Sequence, residues 1–307
     1  MIHSLEPDER TLHGHFSREL APVLEIDPGD TVVFRTLDSG WGLEPYEGGP
    51  YRPRRELERE ADGHALTGPV AIRGARKGMT LRIDIGDVIP GAWGACLAGG
   101  WESAFNERLG VVGDGIVHAY TLDAATMTGR SHRGHTIALR PFLGVMGMPP
   151  DEPGEHSTIP PRTCGGNLDC RELTSGATLY LPVAVDGGLF SCGDGHAAQG
   201  DGEVSGTAIE CPIERAELTF TLMDLPLTTP IARTPAGWLT LGLGATLDDA
   251  AHNALDAILD LLGREHELDR RDALAIASLH VDLRVTQMVN RTVGVHAVLR
   301  GFGEPFQ

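Results

Sequence analysis

A chain of 307 residues with 41% hydrophobic content is long enough to bury a sizeable core, as one large domain or two medium ones. Its formal net charge of −18 argues against a nucleic-acid partner, which requires a concentrated basic face. No apolar run reaches the roughly eighteen residues of a membrane-spanning helix, so no membrane partner is expected.

The start, Met1 to Arg10, lacks the basic opening and apolar stretch of a signal peptide, and a cytoplasmic location is the expectation. Residues 20–36 read as a strand, a turn at Pro28-Gly29-Asp30, and a second strand around the β-branched pair Val32-Val33. Residues 43–62 are charged and rich in proline and glycine, and read as a surface loop over the mouth of the core. The strand grammar returns at 69–87, with a turn at Lys77-Gly78 and alternation through Leu81-Arg82-Ile83-Asp84-Ile85. Further short strands are expected at 115–122, 135–140, 178–185, 204–210 and 216–223. With forty glycines and twenty prolines as punctuation, they predict a mainly β fold, a β-sandwich or barrel-like core.

The pattern changes near residue 245. Thr246-Leu-Asp-Asp is a helix start with acids in its first turn, Leu247 to Leu262 carry apolar residues at helical spacing, and Gly263 supplies a stop. A second helix begins near Asp269, and strands at 283–289 and 293–299 flank a turn at Asn290. The expected organisation is an N-terminal β-rich domain over 1–145, a β-rich segment carrying the metal site over 146–240, and a small C-terminal α/β unit, helix–helix–hairpin, over 241–307. That last unit is expected to serve assembly or core closure, with Asp282 and Arg284 its only candidates for chemistry.

The stretch richest in chemistry is 187–210. Asp194 and His196 are two apart, as are Asp201 and Glu203, and in extended backbone such residues share a face. Ala197-Ala-Gln-Gly200 is short enough to fold the two pairs back on each other. Three carboxylates and an imidazole packed together favour a divalent cation, with mixed nitrogen and oxygen donors suiting Zn²⁺ or Mn²⁺ and an oxygen-rich subset Ca²⁺ or Mg²⁺. A structural Ca²⁺ loop, or a solvated acidic turn, is the plainer alternative. Asn167 and Asp169, behind Gly165-Gly166, form a third pair two residues apart, which an Asx-turn would explain equally well. Arg171 is a candidate to pair with one of the acids. His13-Gly-His15 and His64 are further candidates for the site, His132 and His135 recur before it as well, and His118, His156, His252 and His266 read as ordinary surface or hydrogen-bonded groups.

Arg140-Pro-Phe-Leu-Gly-Val-Met-Gly147, Gly165-Gly-Asn-Leu-Asp169, Leu179-Tyr-Leu-Pro-Val183 and Phe190-Ser-Cys-Gly-Asp-Gly-His-Ala-Ala-Gln-Gly-Asp-Gly-Glu-Val204 resemble, in order and spacing, the signature of the acetamidase/formamidase family. Weaker likeness extends over nearly the whole chain, except around Trp41 to Arg59. The resemblance implies a β-rich fold, hydrolysis of a small linear amide such as formamide or acetamide, metal binding and a homodimer or higher homo-oligomer. Glu203, Asp201 and Asn167 are accordingly the expected catalytic groups, and Asp194, His196, Asp169 and His64 the expected metal ligands. Zn²⁺ is the favoured ion, with Ca²⁺ as a second or structural ion. Two other functions remain open: hydrolysis of another C–N bond, and metal-stabilised binding of a small amide or carboxylate without turnover. A rival amidase mechanism would use a cysteine, best placed at Cys192. A nitrilase-like Glu-Lys-Cys set is disfavoured because Lys77 is the only lysine. Cys96, Cys164, Cys170, Cys192 and Cys211 form no C-x-x-C pair and are expected as free thiols, most of them buried.

Overall fold

A computed structural model describes residues 1–51 and 63–301; the later part of the expected 43–62 loop lies outside the described residues. Period-two alternation becomes strand where it was expected. Thr31–Thr36 buries Val32, Phe34 and Thr36 and leaves the residues between them more exposed, because successive side chains leave a strand on opposite faces. Among the described residues one sheet has nine strands, in the order Ile2–Leu5, Thr31–Thr36, Ile213–Met223, Thr80–Pro90, Thr178–Pro182, Ile231–Thr234, Gly237–Gly244, Val293–Leu299 and Val281–Gln287. The second has twelve, and its central run carries the site described below. Strands from before and after residue 145 share both sheets. Phe34 and Phe220 on the first sheet meet Phe190 on the second, with ring centroids 6.1 and 5.0 Å apart. The two sheets therefore share one core, and the mainly β, sandwich-like expectation holds.

The C-terminal unit builds a second core. Thr246 caps the helix Leu247–His266 by accepting a hydrogen bond from the Asp249 amide at 3.1 Å. That helix lies across Gly237–Gly244, where Gly242 permits the approach: a Cβ there would stand 2.9 Å from Ala254 Cα. Ile258, Leu261 and Leu262 pack with Trp238, Ala273 and Val295. Two expectations are corrected. Gly263 does not end the helix, which continues to His266 and stops where Glu267 turns left-handed at φ 53°. A single glycine costs a helix interior only about 1 kcal/mol, less than the packing on either side of it contributes. Residues 204–210 are not a strand beyond Glu210–Cys211, because left-handed Glu203 (φ 46°) and Gly206 (φ 82°) keep that segment in turns.

Candidate metal centre

The strand Phe190–His196 lies between Phe142–Gly147 and Glu210–Cys211, with Gly165–Asn167 beyond. On it, Asp194 and His196 share a face, with His196 Nε2 3.3 Å from Asp194 Oδ2. The register sets His196 opposite both Phe142 and Glu210. Glu210 Oε2 lies 3.4 Å from Nε2, and the Phe142 ring meets the imidazole edge-on at 5.0 Å. Asp169 and Glu203 close the other side. Donor atoms of Asp169, His196 and Glu203 lie within 4.8 Å of one another, as do those of Asp194, His196 and Glu210. All five side chains are buried.

Backbone and glycines make the room. Asp169, Asp194 and Glu203 all hold left-handed φ values of 47°, 57° and 46°. Such conformations cost about 1–3 kcal/mol each and persist only where the surroundings enforce them. Pairing of Leu143 with Gly195 and of Val145 with Gly193 puts Gly144 opposite Asp194. A Cβ at Gly144 would run into Asp194 Oδ2 and stand 2.8 Å from both Asp169 Oδ1 and His196 Cε1.

The tautomer of His196 follows from its neighbours. Gln199 Nε2 donates at 2.8 Å to the Asp169 carbonyl, which only accepts, so Gln199 Oε1 faces His196 Nδ1 at 2.8 Å and accepts a hydrogen bond from its N–H. Nε2 is left pointing at carboxylates, buried and without a hydrogen-bond partner, and Asp169 Oδ1 and Glu210 Oε2 are equally unsatisfied. Because Nδ1 is committed, His196 offers a single donor to both triads, which therefore overlap about one nitrogen.

The electrostatics express the same crowding. Burial, then the charges of Glu203 and Asp194, push the Asp169 carboxyl well above its usual range. Glu203 is pushed up to about 8, chiefly by burial, with Glu210 and Asp194 adding to it. For Asp194 burial works the other way from its partners, but the charges of His196 and His64 prevail and hold it low. Burial also opposes charge on His196, yet Glu210 and Asp194 raise it well above an ordinary imidazole. One imidazole among four buried carboxylates carries too little positive charge to balance them. The unsatisfied donors and the clearance at Gly144 fit a divalent cation.

The remaining candidates from the sequence are in neither triad. Asp201 joins neither triad: the left-handed turn at Gly202 and Glu203 departs from the extended backbone that a shared face requires, and Asp201 pairs with Arg284 through contacts of 2.8 and 2.9 Å. Asn167 is buried near the centre, donating to the Ile159 carbonyl at 3.0 Å with its Oδ1 unpaired. His64 stands near enough to Asp194 to influence its charge, but Nδ1 lies 2.9 Å from Thr158 Oγ1 and the ring is in neither triad. His13 is occupied by the His15 carbonyl at 2.7 Å and Ser191 Oγ at 2.9 Å. Arg284, not Arg171, takes the acids, reaching Glu172 at 2.7 Å as well as Asp201. Cys192 is fully buried, and burial raises its thiol well above the usual value.

Four contributors escaped the reading of the sequence: Glu210, Gln199, Gly144 and Asn290. Asn290 Nδ2 donates to Asp169 Oδ2 at 2.9 Å, and Gln287 Nε2 to the Asn167 carbonyl at 2.7 Å. The C-terminal hairpin therefore reaches the centre, contrary to the expectation that its unit only closes the core. Asp282 stays away from the centre, bonded to Arg300 at 2.9 Å. Glu210 had a legible signal, a carboxylate at the end of an expected strand that follows the motif. Asn290 had none beyond its place in a turn.

Residues 153–224 match the model of the Acetamidase/Formamidase family. The fold of a crystal structure of an acetamidase from Bacillus halodurans superposes with a TM-score of 0.85 at 27% identity, covering 96% of each chain. A putative formamidase of Schizosaccharomyces pombe is 26% identical over 285 residues, which span 73% of this chain and 69% of that protein. A formamidase of Methylophilus methylotrophus is 52% identical over 48 residues, only 16% of this chain and 12% of the relative. A β fold of this topology with a buried carboxylate–histidine centre defines the class: the chain shares its fold with an acetamidase and matches the acetamidase/formamidase family over residues 153–224.

Proposed function

We propose that the protein hydrolyses a small linear amide to a carboxylate and ammonia with the help of a divalent metal ion, Zn²⁺ in preference to Ca²⁺. The family match over 153–224 and the likeness to an acetamidase structure support an amidohydrolase. The observation that carries the metal is His196 Nε2, buried, unpaired and aimed at carboxylates while Gln199 holds Nδ1. One nitrogen with several carboxylate oxygens is a donor set that suits zinc. Asp169, Asp194 and His196 would hold the ion together with Glu210. When bound, the ion would supply Lewis-acid polarisation of the amide carbonyl.

The chain's own groups supply the rest. Glu203, buried beside His196 and Asp169, takes a proton from the attacking water at Oε2 and returns it to the departing nitrogen, so that ammonia leaves. Asn290 Nδ2 reaches both Asp169 Oδ2 and, at 3.5 Å, Glu203 Oε2, and so orients the two acids together. We assign Asp201 to anchoring the 200–203 turn through Arg284 and leave it out of the proton transfer. Asn167 Oδ1 and His64 are retained as groups that face the bound amide or the ion's surroundings. Assembly as a homo-oligomer and a cytoplasmic location remain part of the proposal.

The test joins elemental analysis of the purified protein to an ammonia-release assay with formamide and acetamide. Stoichiometric metal is expected, with turnover that disappears on chelation and returns with zinc. Full turnover by protein shown to be metal-free would overturn the proposal.

A further inference from the structure

A cleft of about 570 Å³ adjoins the centre at Gln199 and Glu203. Clefts of about 300–1,000 Å³ accommodate ligands far larger than formamide or acetamide, so either amide would leave most of this one unfilled. Its charges are not balanced alike. Asp201 in its wall is answered by Arg284 at 2.8 and 2.9 Å. Arg140 is partly committed to Glu172 at 3.4 Å, an acid that Arg284 also holds at 2.7 Å. Arg171, in the same wall, makes no hydrogen bond or ion pair among the described residues. Of the two guanidiniums in the cleft wall, Arg140 and Arg171, it is therefore Arg171 that is left unanswered among the described residues. The lining also includes the apolar side chains of Ala138, Val204 and Ile209.

We propose that this cleft selects an amide bearing a carboxylate at the far end of a short aliphatic chain, with the carboxamide at Glu203 and the carboxylate on the Arg171 guanidinium. The inference rests on the hydrolytic reading above and names its substrate class. A guanidinium presents a planar pair of donors that match the two oxygens of a carboxylate. One unpaired arginine, with its neighbour half committed, suits a singly charged group better than a phosphate. The apolar lining suits the methylenes between the two ends. Hydrolysis then breaks the C–N bond of the carboxamide, with water supplying the oxygen, and yields a dicarboxylate and ammonia.

The probes are succinamate and isocaproamide, in which an isopropyl group replaces the carboxylate at similar size. Calorimetric binding to the protein as purified, at low and at physiological salt, is measured alongside ammonia release. Succinamate should bind at least about tenfold more tightly than isocaproamide, by a margin that narrows with salt. Arg171→Ala should bring the ratio of affinities close to unity, and Arg171→Lys should restore part of it, since an ammonium lacks the paired donors. Equal affinities in the wild type, or a ratio that neither variant changes, would overturn the carboxylate subsite. Release of ammonia from isocaproamide with no preference for succinamate sinks the subsite and spares the hydrolysis. A preserved binding preference with no ammonia from any amide supports the subsite and sinks the hydrolysis.

Discussion

Gln199 ties His196 to Asp169: one end of its carboxamide accepts from the imidazole at 2.8 Å and the other donates to the Asp169 carbonyl at 2.8 Å. A proposed ligand from the strand and a proposed ligand from the loop before residue 170 are thereby held by a single side chain. Partners of this kind orient a histidine and fix which nitrogen is free, and their loss typically costs 10–100-fold in metal affinity. Gln199→Ala should lower zinc affinity by about that factor without unfolding the protein, as read by competition with a chromophoric chelator. Unchanged affinity would remove Gln199 from the centre's support.

Glu203→Gln separates proton transfer from metal binding. The variant should keep its metal and lose roughly 10²–10⁴-fold in kcat, the usual contribution of a positioned acid–base. Cys192→Ser should retain most of the wild-type rate, since that thiol is buried and far from ionising. An inactive, metal-replete Cys192→Ser beside an active Glu203→Gln would reverse the assignment.

Gly144→Ala puts a methyl group where Asp169, Asp194 and His196 converge. Filling a packed space in this way costs about 1–3 kcal/mol. Zinc should raise the Tm of the wild type and leave that of the variant nearly unmoved. An equal rise in both would mean that the ion sits away from Gly144.

His296 sets a pH dependence of stability. It is fully buried against Thr286 Oγ1 at 2.8 Å, and its pKa is pushed down from 6.5 to about 4, chiefly by burial with the charge of Arg284 adding to it. Between those two values the unfolded chain binds a proton that the folded chain refuses, so stability falls as pH drops through that window and is independent of this group above it. In melts recorded from pH 7 down to pH 4, the wild type should lose stability relative to His296→Gln as the pH falls. Parallel curves for the two proteins would refute the burial argument.

Asn290→Ala tests whether the last hairpin belongs to the site. Removing its bond to Asp169 Oδ2 should lower kcat by about tenfold, with the C-terminal core and its melting little changed, because typical losses of a hydrogen bond to a charged group are about 1.5–3 kcal/mol. Wild-type kinetics in the variant would return the hairpin to a purely structural role.

Local patterns were legible because they depend on a few consecutive residues. Alternation marked Thr31–Thr36 and Thr80–Pro90, and side-chain oxygens marked the helix starts at Thr246 and Asp269. The Asp194–His196 pair was legible for the same reason, since two positions along one strand share a face in any tertiary setting. Asp201 looked equivalent by spacing and was not, because left-handed backbone at Gly202 and Glu203 turns the chain between them. Which chain segments become neighbours is another matter. Glu210 meets His196 through antiparallel register, Gly144 meets Asp194 across the next strand, and Asn290 reaches Asp169 from more than a hundred residues away. Register and sheet order are decided by how the apolar faces of distant strands bury one another, and a shift of one residue would turn Glu210 to the opposite face. The sequence by itself therefore determined the strands, the helix caps and the residue types of the centre, while tertiary packing alone decided which carboxylates surround His196 Nε2 and which arginine is left facing the cleft.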